Sequence, residues 1–183
     1  MAAQHTEAWQ VFDTNGSPVE GASILPVESR KSKDVIVGAV HVWIWRKTSD
    51  GTIEILLQHR AVDKPTWPDY LDISVAGHID AGESLTDAIL READEEVGAK
   101  LDVAALEFIF SYRNFENGIK WVYLLEETVP TSYTFNDGEV QALQWVTLED
   151  FDKMTHAPES YKLVPHPEEY YALLTKALHI LTA

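Results

Sequence analysis

Between Ser84 and Val97 the sequence reads as a helix in which Leu85, Ala88 and Ile89 mark an apolar stripe at i, i+3 and i+4. At about 100° per residue the stripe runs on to Glu92 and Glu96, with Ala93 and Val97 beside it and Glu95 at its edge. Carboxylates one turn apart have Cβ atoms about 5–6 Å apart. At an effective dielectric of ~20, an ionised pair at ~6 Å repels by roughly 3 kcal/mol. Arg91 is the one base in this helix, and one cation does not neutralise three anions. Either the last turns emerge into solvent, as acidic helix ends commonly do, or the carboxylates hold divalent cations. Their C-terminal place weighs against the first reading, because the helix dipole disfavours negative charge there by about 0.3–1 kcal/mol. Hard oxygens without sulfur, and with only His78 as a nearby imidazole, suit Mg²⁺ or Mn²⁺ rather than Zn²⁺. Such ions commonly serve phosphate chemistry.

Several elements must position that helix. Ser84 and Asp87 have capping-box spacing and Gly98 supplies the stop. Upstream, an alternating segment turns at Asn15-Gly16 and predicts a hairpin over 7–25. A long β-rich run from Asp34 to Trp45 turns at Ser49-Asp50-Gly51 into a strand from Ile53 to Gln58. A loop at Lys64–Pro68 and a short strand within Tyr70–Val75 follow. Downstream, strands are expected at Leu106–Tyr112 and Ile119–Leu125, joined across Glu116-Asn117-Gly118, and at Val140–Val146. Thr147 opens a short helix. Pro167 opens a last one through Leu181, with Tyr170, Leu173, Leu174, Ala177, Leu178 and Leu181 on one face. The pattern predicts a single α+β domain over 1–183, with a core at about 35–151 and a C-terminal helix at 167–181.

Composition narrows the chemistry. The 183 residues include 45% hydrophobic and 10% aromatic ones, enough for a sizeable core. A net charge of −16 argues against nucleic-acid polymers and anionic membranes as partners. Without cysteine there are no disulfides, zinc thiolates, iron–sulfur clusters or cysteine nucleophiles. Met1 to His5 has no basic or apolar leader, and no apolar run reaches membrane-spanning length, so a cytoplasmic protein is expected. From Glu83 to Glu96 six acidic residues stand against Arg91 alone, nearly a third of the net charge.

The stretch from Gly77 to Ala99 resembles the Nudix box: Gly, five residues, Glu, seven residues, then Arg-Glu-apolar-x-Glu-Glu-x-Gly-apolar. Gly77, Glu83, Arg91, Glu92, Glu95, Glu96 and Gly98 meet every fixed position, and Ala99 is small for the last apolar one. Leu56-Leu57-Gln58-His59-Arg60 and Glu139-Val140…Gln144-Trp145-Val146 also look like the family's flanking strands. The resemblance implies an α/β/α sandwich with a mixed sheet and hydrolysis of a nucleoside diphosphate linked to another moiety, using Mg²⁺ or Mn²⁺. It implies metal ligation by Glu92, Glu95 and Glu96, with Glu83 and the Gly77 carbonyl assisting and Arg91 orienting a carboxylate. The general base is a box glutamate or, outside the box, Glu139. Arg60, Lys64 and His78 are candidate substrate contacts, the partner being a small phosphate compound. Trp67, Tyr70, Tyr112, Phe115 and Trp121 either stack a base or pack the sandwich. Arg113 and Asn114 lie in a turn-prone segment within reach of a ligand. The segment after Phe151 is expected to shape the substrate pocket or a homodimer interface.

Val75-Ala76-Gly77-His78 and Asn136-Asp137-Gly138-Glu139-Val140 further resemble isopentenyl-diphosphate isomerase, a Nudix-fold enzyme. That enzyme needs a cysteine where this chain has Ala76, and a histidine six residues before Trp43, where this chain has Val37. The intact box glutamates favour the hydrolases of this isomerase-like branch. They also weigh against a catalytically silent nucleotide-binding module, which would lose them.

Overall fold

The computed structural model describes residues 7–32, 34–114, 118–129, 131–136 and 138–182. Phe115, the Glu116-Asn117 part of the expected turn, Asp137 and the first residues of the chain lie outside the described residues, and so does the side chain of Asn114.

The expected hairpin forms from β1 (Trp9–Phe12) and β2 (Pro18–Ile24), followed by one helical turn, α1 (Pro26–Ser29). The fold is then organised by β3 (Ile36–Lys47). One edge of β3 is shared along its length by β1 at Ile36 and Val37, by β6 (Val75–His78) at Ala39–Val42, and by β4 (Ile53–Arg60) from Trp45 onward. Its other edge pairs in parallel with β8 (Gly118–Glu126) from Gly38 to Trp45. β7 (Leu106–Asn114) continues beyond β8, while β9 (Val140–Thr147) and the two-residue β5 (Leu71–Asp72) pair with β4. Among the described strands all pairings except β3–β8 are antiparallel, which makes the sheet mixed, and Leu71 adds a single parallel bridge to Leu163.

Helices cover both faces, and the near-continuous apolar run of β3 follows from that. Val40, Val42 and Ile44 face α2 (Leu85–Val97), where they meet Ala88, Ile89, Ala93 and Val97. Trp43 and Trp45 face the other way, into a core with Phe151 and Met154 of α3 (Leu148–His156) and with Tyr170, Leu174 and Leu178 of α4 (Glu168–Thr182). A buried Leu or Val in either layer contributes roughly 1.5–3 kcal/mol. Among the described residues no helix is long and apolar enough to cross a membrane.

Two local expectations need correction. The short strand within Tyr70–Val75 is divided between β5 and β6, because Ser74 replaces the ladder with its side chain. Its Oγ accepts from the Ile44 N–H at 2.8 Å and donates to the Leu56 carbonyl at 2.6 Å. The apolar face of α4 is narrower than the pattern suggests. Tyr170, Tyr171, Leu174 and Leu178 are buried, whereas Leu173 lies on the open flank and Leu181 in the last turn, both exposed.

Candidate functional site

α2 stands where the box needs it because both its ends are fixed locally. Ser84 accepts the Asp87 N–H, Asp87 returns a bond to the Ser84 N–H, and Gly98 closes the helix at φ 60°. The carboxylates on its inner side meet β6. Glu96 is 3% exposed, and its Oε2 accepts from the Ala76 N–H at 3.0 Å and from Gln58 Nε2 at 3.2 Å. Burial, reinforced by Glu92, pushes the Glu96 carboxyl well above the usual range; these two hydrogen bonds oppose it only in part. Glu92 lies over Gly77 so closely that a Cβ there would fall 1.8 Å from its Oε1, so residue 77 has no room for a side chain. Burial raises Glu92 to about 7 against the pull of Arg91.

Arg91 organises the rest. Its Nε and Nη2 reach the two oxygens of Glu83 at 2.8 and 3.0 Å, and Nη1 reaches Glu92 at 2.8 Å and Glu95 at 3.0 Å. Nη2 also donates to the His78 carbonyl at 2.8 Å, tying α2 to the end of β6. Burial would raise Glu83, but Arg91 and the Asp80 N–H hold it below the usual carboxylate range. The seven fixed box positions, spread from Gly77 to Gly98, thus lie on β6, on α2 with its Gly98 cap, and, for Glu83, on the loop between them, where Arg91 holds it.

The donor set fits a hard divalent cation in kind, with carboxylates crowded beside a backbone glycine and one of them, Glu96, buried without a cationic partner among the described residues. Among the described residues no three His, Asp or Glu side chains converge as a finished cage. The physical reason is Arg91, which draws Glu83, Glu92 and Glu95 toward itself. In each of Glu92, Glu95 and Glu96 the hydrogen bonds among described residues fall on one oxygen, so the other remains for a cation.

The residues expected outside the box are more scattered. Glu139 precedes β9, interacts electrostatically with Glu92, and forms an ion pair with Lys64. Arg60 braces the loop that carries Lys64, bonding Asp72 at 2.9 Å and the Thr66 and Trp67 carbonyls at 2.9 and 3.2 Å. Asp69, at φ 62°, pins the same loop through His59, Gln141 and Lys162. The His78 ring stacks flat on Trp9 at 3.6 Å, and burial with Lys120, Arg30 and Arg91 nearby lowers its pKa to about 3. Among the aromatic candidates, Trp67 is 41% exposed beside Tyr70, Trp121 packs on Phe12, and Tyr112 packs on Tyr170. Arg113 bonds the Thr14 carbonyl of the hairpin turn. Two surface depressions, one along Thr52, Thr147 and His179 and one around Lys100, Glu127 and Tyr133, contain no box side chain.

Sequence reasoning missed Gln58, the Ala76 N–H and Trp9. Gln58 had a signal, since it is the next residue after Leu56 on the α2-facing side of an otherwise apolar strand. The other two depend on pairing across the sheet, which has no local signature.

Residues 36–167 match the NUDIX domain family. The chain is 37% identical over 125 residues to Nudix hydrolase 3 of Arabidopsis thaliana, covering 62% of this chain and only 16% of that much longer protein. It is 35% identical over 102 residues to an isopentenyl-diphosphate Delta-isomerase of Leifsonia xyli, covering 54% of this chain and 52% of that one. In three dimensions it resembles DR0079 of Deinococcus radiodurans with a TM-score of 0.66 at 22% identity, over 91% of this chain and 97% of that one. That likeness bears out the α+β fold with its mixed sheet between helices. The isomerase likeness lies in a chain that contains no cysteine. With most of its length matched and every fixed box residue present, this chain belongs to the Nudix family.

Proposed function

We propose that this chain is a divalent-metal-dependent pyrophosphohydrolase that cleaves a diphosphate linkage in a nucleoside diphosphate derivative by attack of water on phosphorus. One observation carries the reading: Glu92 and Glu96 are held at β6, beside Gly77, with a single arginine to serve four box glutamates. A stabilising role would favour neutral side chains at these positions, because burying unbalanced carboxylates is costly. Glu92, Glu95 and Glu96, with the Gly77 carbonyl, would hold Mg²⁺ or Mn²⁺, and Glu83 would assist. When bound, the ion neutralises charge on the diphosphate and makes water a better nucleophile.

The chain's own groups do the rest. Arg91 fixes the rotamers of Glu83, Glu92 and Glu95 before substrate arrives. Glu139, a carboxylate outside the box that acts electrostatically on Glu92, would accept the proton of the attacking water. Lys64, beside Glu139, can serve a substrate phosphate, and Arg60 acts by bracing their shared loop. Isomerase chemistry is not assigned, since Ala76 offers no thiol and Val37 no imidazole.

A panel of nucleotides, sugar nucleotides, dinucleoside polyphosphates and prenyl diphosphates, incubated with the chain and Mg²⁺, tests the proposal by mass-spectrometric identification of products. Cleavage of a nucleotide's phosphoanhydride is expected. Tight binding without turnover of any member would instead make this a binding module.

A further inference from the structure

The hairpin of β1 and β2 precedes the family-matched residues 36–167, and its shape turns on one side chain. The register between its strands is irregular. Gln10 faces Ser23 and Phe12 faces Pro18, so the four residues from Val19 to Ala22 stand against Val11 alone. Such an excess bends the longer strand and leaves ladder groups unpaired. Gly21, at φ 70°, takes the left-handed conformation within the bend. Gln10 fills the gap from the opposite strand. It is 7% exposed, and its Nε2 donates to the carbonyls of Val11, Val19 and Ala22 at 2.9, 3.1 and 3.2 Å. The amide nitrogen has two protons, so one of them is shared.

The oxygen of the same amide is turned to the box. Gln10 Oε1 accepts the Gly82 N–H at 3.1 Å. The main chain beside it does likewise: the Gln10 N–H donates to the Ile79 carbonyl at 2.9 Å, and the Ala81 N–H donates to the Ala8 carbonyl at 2.7 Å. Trp9, between Ala8 and Gln10, lays its ring on His78 at 3.6 Å. Residues 8–10 therefore hold residues 78–82, the segment that leads from Gly77 to Glu83. Glu83 is fixed to that segment in turn. Its N–H donates to the Asp80 carbonyl at 3.0 Å, and its Oε2 accepts the Asp80 N–H at 3.0 Å. Arg91 grips the same segment from α2, through the His78 carbonyl and the Glu83 carboxylate.

We propose that Gln10 is a positioning residue for the divalent-cation site. The hairpin it pins backs the segment from Ile79 to Glu83, and so keeps the Glu83 carboxylate and the Gly77 carbonyl in place beside the carboxylates of α2. The inference rests on the hydrolase reading, in which Glu83 and Gly77 assist the cation. Arg91 and Gln10 divide the work. Arg91 orients Glu83 by charge from α2, and Gln10 fixes the main chain under Glu83 from the other side without charge. A ligand already held in its bound geometry loses less freedom when the cation arrives, so affinity depends on that hold. Linkage makes the effect reciprocal: a hairpin that tightens the cation is itself tightened by it.

The probe is the metal alone, Mn²⁺ or Mg²⁺, added to the full chain. Gln10→Met keeps the length of the side chain and removes its donors and its acceptor. It should weaken Mn²⁺ binding, titrated by paramagnetic resonance, by about tenfold, the low end for losing a group that holds a metal ligand. Hydrolysis should need correspondingly more Mg²⁺ for half its maximal rate, and at saturating Mg²⁺ should return to within about twofold of wild type. Leu178→Val, which loosens the core on the opposite sheet face, should leave the affinity unchanged. In wild type, saturating Mg²⁺ should slow hydrogen exchange of the Gln10, Ala81 and Gly82 amides by a similar factor. Wild-type Mn²⁺ affinity in a folded Gln10→Met overturns the inference, and so does an equal loss in Leu178→Val. If Gln10→Met fails to fold, the exchange decides alone, and three amides indifferent to Mg²⁺ overturn it. A chain that neither binds the cations nor cleaves a nucleotide would refute the hydrolase reading and the inference with it. Cation binding and cleavage that are both unchanged in Gln10→Met would remove the inference alone.

Discussion

Helices α2 and α3 both begin at a hydroxyl cap, and both carry clustered carboxylates, but they treat them in opposite ways. In α3, Glu149 and Asp150 stand in the first turn, exposed, where the dipole favours them, and Lys153 one turn on pairs with both at 2.9 Å. In α2 the glutamates lie in the second half, where the dipole opposes them, and the last turn holds no base. Two of them are turned into the protein, so burial sets their electrostatics. α3 shows what this chain does with acidic residues when stability alone decides. The departure of α2 from that pattern marks a requirement other than stability. Acidic content alone does not separate the two helices; position along the helix and burial do.

The sharpest way to break the comparison is to neutralise both clusters. Glu95→Gln with Glu96→Gln should lower the rate of phosphoanhydride cleavage by at least ~100-fold, the order of loss when transition-state charge stabilisation is removed. The melting temperature should stay level or rise, because Glu96 is a buried carboxyl whose charged form burial disfavours and whose partners are an amide side chain and a backbone N–H. Glu149→Gln with Asp150→Asn should leave the rate unchanged. Parallel kinetics and melts on the two double variants decide it, and survival of activity in the α2 variant would remove the metal assignment.

Arg91 and Lys153 form the next contrast. Each is the cation of its cluster, but Arg91 is only 26% exposed, hydrogen-bonds three carboxylates and a carbonyl, and stands 3.9 Å from a fourth carboxylate, Asp80. Arg91→Ala should destabilise by about 2–3 kcal/mol, the lower part of the range for opening a buried pair because some solvent reaches it. Activity should fall as the glutamates lose their order. Lys153→Ala should barely register in denaturant unfolding. Equal losses in the two variants would mean that Arg91 is as dispensable as a surface cation.

A smaller effect isolates position from charge. Gly77→Ala sets a methyl group into the Glu92 carboxylate and should reduce the rate by roughly tenfold, since a displaced ligand costs geometry rather than charge. Gly82, five residues on, has open space around it and a φ of 85°. Gly82→Ala should therefore cost about 1 kcal/mol of backbone strain with little change in rate. If the two variants lose activity equally, the contact between Gly77 and Glu92 carries no function.

Much of α2 was legible because its information is local. Residue type and spacing mark the Ser84 cap, the Gly98 stop and an apolar stripe interrupted by Glu92 and Glu96. The long apolar run of β3 likewise announces a strand covered on both sides. What stayed illegible depends on partners distant in sequence. Gln58 and the Ala76 N–H hold Glu96 from two strands, Ser74 trades a strand for two side-chain bonds, and Trp9 reaches His78 through a hairpin fixed only by the fold. The face of α4 was read too broadly for a related reason. Periodicity gives the direction of a stripe but not its width, and Leu173 at the edge of this one stays exposed.

The smallest expected effect tests whether α3 is as ordinary as it looks. Hydrogen bonds from Lys153 and Thr147, with the Lys153 charge, hold the Asp150 carboxyl below the usual aspartate value of 3.8. A group depressed in the folded state binds its proton more readily when unfolded. The stability it adds is therefore present above pH 3.8 and is lost as pH falls through the lower folded value. Wild type should melt slightly above Asp150→Asn at neutral pH, by about 1 °C for a fully exposed cluster, and the gap should close on acidification below 3.8. Added salt at neutral pH should narrow it as well, because these charges are open to screening. A gap that widens in acid would show that Asp150 is held in its protonated form, and α3 would then share the anomaly that sets α2 apart.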